Sequence, residues 1–110
     1  MKAKAEIDAG ICGFKIIAIV TCDDDQHVSI DVHSGCEKAR AMAASLKDKG
    51  PVDAYQEISP ATDSIVLGVA REALKGCCAA CAVPVGVFKA MQVAAGLALP
   101  KDIGIKLSKE

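Results

Sequence analysis

Polar and apolar positions alternate strictly from Lys2 to Asp8, with Ala3, Ala5 and Ile7 on one side and Lys2, Lys4, Glu6 and Asp8 on the other. A period of two marks a strand with one face in the core. Ala9-Gly10-Ile11-Cys12-Gly13 reads as a turn. Phe14 to Cys22 follows as a β-branched run (Ile16, Ile17, Ile19, Val20, Thr21) suited to a central strand. Asp23-Asp24-Asp25-Gln26 forms a polar hairpin tip. Alternation resumes from His27 to His33, with Val28, Ile30 and Val32 facing inward. These three strands predict an antiparallel meander.

The period then changes. Ser34-Gly35-Cys36-Glu37 fits the capping-box pattern, and Ala39, Met42, Ala43 and Leu46 recur at helical spacing until Gly50-Pro51. Val52 to Ile58 reads equally as a short edge strand or a loop. Ser59, Pro60 and Thr62 can cap a second helix carrying Ile65, Val66, Val69, Ala70, Ala73 and Leu74, with Gly76 just past its end. Pro84 opens a third helix to about Leu99, and Pro100 ends it. Lys89 and Gln92 are its clear polar positions, so it should be deeply buried or shared with a partner chain. Ile103, Ile105 and Leu107 alternate as a last strand returning to the sheet.

Strands followed by helices imply an α+β fold. The expectation is a single domain over residues 1–110: two layers, with a small, mostly antiparallel sheet (the meander plus the C-terminal strand) covered on one face by three helices.

Composition narrows the function classes. The 110 residues carry a net charge of −1, with basic and acidic side chains intermixed, and their only aromatics are Phe14, Tyr55 and Phe88. Such a surface has neither the cationic footprint nor the stacking platforms that nucleic acids need. The N-terminus lacks the apolar core of a signal peptide, and the longest apolar run, Val93 to Leu99, is far short of the roughly 20 residues of a membrane span. A cytoplasmic protein with no membrane contact is expected.

Against that background the six cysteines stand out: Cys12, Cys22, Cys36, and the group Cys77, Cys78 and Cys81. Cytosolic thiols stay reduced, so clustered cysteines there more often bind metal or perform redox chemistry than form disulfides. A meander reverses at each turn. Cys12, at the exit of the first strand, and Cys36, past the exit of the third, therefore share one end of the sheet. Cys22 belongs at the opposite end, where it reads as core packing. The loop holding Cys77, Cys78 and Cys81 can reach the end shared by Cys12 and Cys36, where helix starts favour thiolates.

Thiolates brought together repel: two unit charges 4 Å apart do so by about 4 kcal/mol at an effective dielectric near 20. A cation relieves this. Zinc or an iron–sulfur cluster is the expected cofactor, with Cys12, Cys36, Cys81 and one of Cys77 or Cys78 as ligands. Cys78-x-x-Cys81 is a recurrent ligand unit, but a lone one is weakly specific and matches no ferredoxin-type motif.

Two other readings stand beside this one. In a thiol redox enzyme or sensor, Cys81 is the reactive thiolate and Cys78 or Cys36 resolves it. In a structural or assembly module, the cysteines act as small hydrophobes and the helix over residues 84–99 mediates homodimer or partner contact. His33 lies near Cys36 in sequence but alternates out of phase with the core positions, as a plain exposed histidine would; His27 does the same. The three aspartates lack the spacing and distant Glu of a calcium loop. No phosphate-binding glycine loop and no nucleophilic triad is present.

The segments Gly10-Ile11-Cys12-Gly13, Ser34-Gly35-Cys36-Glu37 and Cys77-Cys78-Ala79-Ala80-Cys81-Ala82-Val83-Pro84 together resemble a small family of uncharacterised proteins of about this length from anaerobic microbes. The resemblance covers nearly the whole chain. It implies a short stand-alone domain with cysteines grouped at one end, suited to oxygen-poor cells, and supplies no activity or catalytic residue.

Overall fold

Strands β1 (Lys2–Asp8), β2 (Lys15–Cys22) and β3 (His27–Ser34) form the antiparallel meander that the alternation predicts. The computed structural model describes residues 1–59, 63–76 and 81–110. Register fixes which side chains share a face. Ile7 pairs with Ile16, Ala18 with Val32, and Val20 with Ile30, so the apolar sets of all three strands point the same way. The opposite face carries Lys4, Glu6, Asp31 and His33, all exposed.

Helix α1 (Glu37–Lys49) follows β3 and packs on it. Its N-cap is Cys36, not Ser34. The strand runs through Ser34, which stays in register opposite Ile16. The Ser34 hydroxyl donates to the Lys15 carbonyl (3.1 Å) and accepts the Cys36 N–H (3.0 Å), so it braces the turn instead of capping the helix.

The ambiguous segment after Pro51 is both strand and helix. β4 (Val52–Asp53) pairs with β3, and α2 (Ala54–Ile58) starts at once, capped by the Asp53 carboxylate. Helix α3 (Ile65–Leu74) has Ser64 as its N-cap. Of the caps expected from sequence, Ser59 is the C-cap of α2, while Pro60 and Thr62 lie outside the described residues.

Helix α4 (Val83–Ala94) packs on β1 and β2 and stops short of Leu99. Gly96, at φ 77°, takes the left-handed conformation. The Gly96 N–H donates to Val93 O and the Leu97 N–H to Gln92 O, the paired bonds of a Schellman stop. The polarity pattern has no feature at that position, so the helix extended there by period alone.

A second correction concerns the C-terminus. Residues 101–110 join no strand and are all exposed. The sheet order is β1-β2-β3-β4, so the fourth strand is β4 and β1 remains an edge.

The core lies between the sheet and one layer of helices. Ala18, Val20, Met42, Ala54, Val66, Val87, Met91 and Ala94 all reach zero exposure. Full burial of a side chain such as Val20 or Met42 contributes about 1.5–3 kcal/mol. Small residues bring the layers close. A Cβ at Gly86 would lie 2.5 Å from Cγ1 and Cδ1 of Ile7, so α4 crosses the C-terminal end of β1 at glycine distance.

Candidate functional site

Three connections end at the same edge of the sheet. The β1–β2 turn is closed by the Gly13 N–H donating to Gly10 O at 2.9 Å, with φ of 94° and 76° at the two glycines, and it carries Cys12. The exit of β3 lies beside it, because Ile7, Ile16 and Ser34 are in register and Phe14 Cε1 is 3.7 Å from the Cβ position of Gly35. Cys36 is the next residue. The third connection joins α3 to α4. Lys38, in the first turn of α1, donates to the Lys75 carbonyl at 3.4 Å, and Gly86 sits on Ile7. The end of α3 and the start of α4 are thereby both brought to the end where β1 and β3 finish.

Cys36 and Cys81 are half-buried against the core, and the Cys81 sulfur accepts the Val83 N–H at 3.5 Å. Cys12 is exposed on its turn. All three are free thiols, as is Cys22. Cys77 and Cys78 lie outside the described residues. By register the turn with Cys12 and the strand exit before Cys36 lie at one end of the sheet, and Cys81 precedes α4, whose Gly86 meets Ile7. A ligand shell is a stricter condition: among the described residues, no three His, Cys, Asp or Glu side chains gather as a metal-binding group.

The other end of the sheet holds a polar network that sequence reasoning treated as a plain solvated turn. Asp24 accepts N–H bonds from Gln26 (3.0 Å) and His27 (2.7 Å), and its second oxygen lies 2.8 Å from His27 Nδ1. The backbone N–H of His27, followed by its ring, holds the Asp24 carboxyl far below the usual carboxylate range. The Asp24 side chain in turn raises the His27 ring above its usual value. Gln26 donates to Asp53 at 2.8 Å and heads the causes that lower Asp53, which itself caps α2. Cys22 is 1% exposed beside this network, consistent with core packing. The sequence signalled an Asp-rich turn, in which such side chains accept from amides two residues on, but only the structure singles out Asp24 among the three aspartates.

Glu57 had no such signal. It is 4% exposed, yet its carboxylate accepts from Ser64 Oγ (2.7 Å), Ile65 N (2.8 Å) and Val66 N (2.6 Å), satisfying the first turn of α3 from another helix. His33 stays exposed on the sheet's open face.

Residues 3–107 match a family described as a family of unknown function, DUF6951. The chain belongs to that family. No curated protein matches it, and no solved structure does. The family match runs from the first strand through Leu107, so it includes every cysteine and most of the exposed tail. Among the described residues no helix is long and apolar enough to cross a membrane.

Proposed function

We propose that the sheet end shared by Cys12, Cys36 and Cys81 is a thiolate site for a soft metal ion or an iron–sulfur cluster. The observation that supports this reading is the pair of half-buried thiols Cys36 and Cys81, with the β1–β2 turn of Cys12 at the sheet end where β3 exits toward Cys36. Cys77 and Cys78 precede Cys81 by four and three positions in the chain and complete the donor set. In donor chemistry the fit is good, since an all-sulfur set selects zinc, copper(I) or iron–sulfur over hard cations. Cys12 is the least committed donor because its turn faces solvent.

The test is elemental analysis of protein purified and kept without air. Zinc or iron near one equivalent, falling in the Cys36→Ser and Cys81→Ser variants, supports the reading. Metal-free protein in every preparation overturns it.

A second reading is favoured by the Val83 amide pointing at the Cys81 sulfur at the start of α4. Such a donor suits a redox-active thiol, with Cys36 or Cys78 as resolving partner. Metal-free protein in which Cys81 reacts with iodoacetamide far faster than Cys36 supports it. Uniformly slow modification leaves the cysteines as packing residues in an assembly module, the role in which α4 would contact a partner.

A further inference from the structure

The edge of β1 and the C-terminal tail are each incomplete, and their patterns fit one another. β1 is a seven-residue strand paired on one side with β2, and among the described residues nothing pairs with its outer side. It contains no proline or glycine to discourage addition of another strand. The tail alternates Ile103, Ile105 and Leu107 with polar or small residues, and these three side chains are 58%, 74% and 92% exposed. An alternating apolar segment with its apolar side in solvent is a strand without a sheet. It also falls almost wholly inside the family match.

A groove separates the two. β1, then Val85, Gly86 and Lys89 of α4, and the stretch from Leu97 to Ile105 line it together. The tail of the same chain thus lines the groove but joins no strand.

We infer that the occupant is the tail of a second copy, exchanged reciprocally so that each β1 gains Ile103–Leu107 of its partner as a fifth strand. Apolar pairing and charge together select the register. In an antiparallel alignment with Ile105 beside Ile7 and Leu107 beside Ala5, Lys106 stands opposite Glu6 and Glu110 opposite Lys2. Sliding two residues to set Ile103 beside Ile7 would oppose Lys106 with Lys4 and Asp102 with Asp8. Cross-strand opposite charges stabilise and like charges destabilise, which disfavours that slide; the slide the other way keeps opposite charges but sets Lys109 beside Ala5 and moves Ile105 past the end of β1, so the first register is preferred. Reciprocal exchange closes on itself, which gives a dimer and no higher assembly.

The test uses the full chain and its variants in sedimentation velocity. The wild type should sediment at twice the 11.3 kDa chain mass. A chain ending at Pro100, and an Ile105→Asp/Leu107→Asp variant, should be monomeric with unchanged helical circular dichroism, because the altered residues are exposed. Glu6→Lys and Lys106→Glu should each weaken dimerisation about tenfold, since each puts like charges at both contacts. Mixing these two variants should restore it, because every edge then meets a tail of opposite charge on the other chain. Pairing of each tail with its own β1 would show no such restoration. A monomeric wild type, a dimer that survives loss of residues 101–110, or failure of the mixture to recover would each overturn the inference.

Discussion

Replacing Glu57 by Ala should destabilise this protein more than its unremarkable place in the sequence suggests. The side chain is 4% exposed and accepts three hydrogen bonds, from the Ser64 hydroxyl and the Ile65 and Val66 amides. Hydrogen bonds to a charged group contribute about 1.5–3 kcal/mol each when removed singly, and an N-terminal helix cap about 1 kcal/mol. These effects overlap. Ser64 Oγ still accepts the Leu67 N–H, and the partly exposed Ile65 can find water. Val66 is fully buried, and its amide is left without a partner. A net loss of about 3 kcal/mol follows, with the helix dipole's lost anion included. In urea unfolding followed by circular dichroism, with a slope of about 1.5 kcal/mol per molar, the midpoint should fall by about 2 M. Glu57→Gln keeps the shape and one acceptor oxygen, so it should lose about half as much. A Glu57→Ala loss below about 0.5 kcal/mol, in the range of ordinary surface changes, would refute the argument that this carboxylate closes α3.

Gly86→Ala would normally gain about 1 kcal/mol in a helix. Here the added methyl meets Ile7 at 2.5 Å, and overpacking of about 1–3 kcal/mol should make it net destabilising. In a double-mutant cycle, most of that loss should vanish when Ile7→Ala is also present. For the distal turn, the His27 ring should titrate above 6.5 by NMR and fall back toward that value in Asp24→Asn. The sign of each contribution follows from its shift. His27 is raised, so its share of stability is complete below pH 6.5 and fades as pH rises through the folded-state value. Asp24 is lowered, so its share is complete above 3.8 and fades as pH falls. Both are therefore present together between those limits, and Asp24→Asn should flatten the profile on either side. In metal-free protein, alkylation monitored by mass spectrometry should modify Cys12 well before Cys22, following their exposure. Equal rates at these two positions would contradict the burial assigned to Cys22.

The meander was legible because each strand has one wet and one dry face, and the period of two in Lys2–Asp8 and His27–Ser34 reports that directly. The shared sheet end of Cys12 and Cys36 followed from chain reversal alone. Helix limits were less legible. Period continues past Ala94 in sequence, but Gly96 closes the helix by taking a left-handed conformation that no polarity pattern announces. The tail misled for a related reason. Its alternation states correctly that the segment suits a sheet, and says nothing about which edge, or whose, will accept it.

By itself, then, the amino-acid order determined the faces: which side chains of each strand and helix must leave water, and that Cys22 points into the core at the end opposite Cys12 and Cys36. These are local consequences of backbone period and solvation. Only the tertiary structure decided partnerships between distant residues. It set Glu57 under α3, Gly86 against Ile7, and β1 at an open edge facing its own unpaired tail. Such contacts depend on how layers pack in three dimensions, where a few ångströms of approach decide whether two groups meet, and no one-dimensional pattern carries that distance.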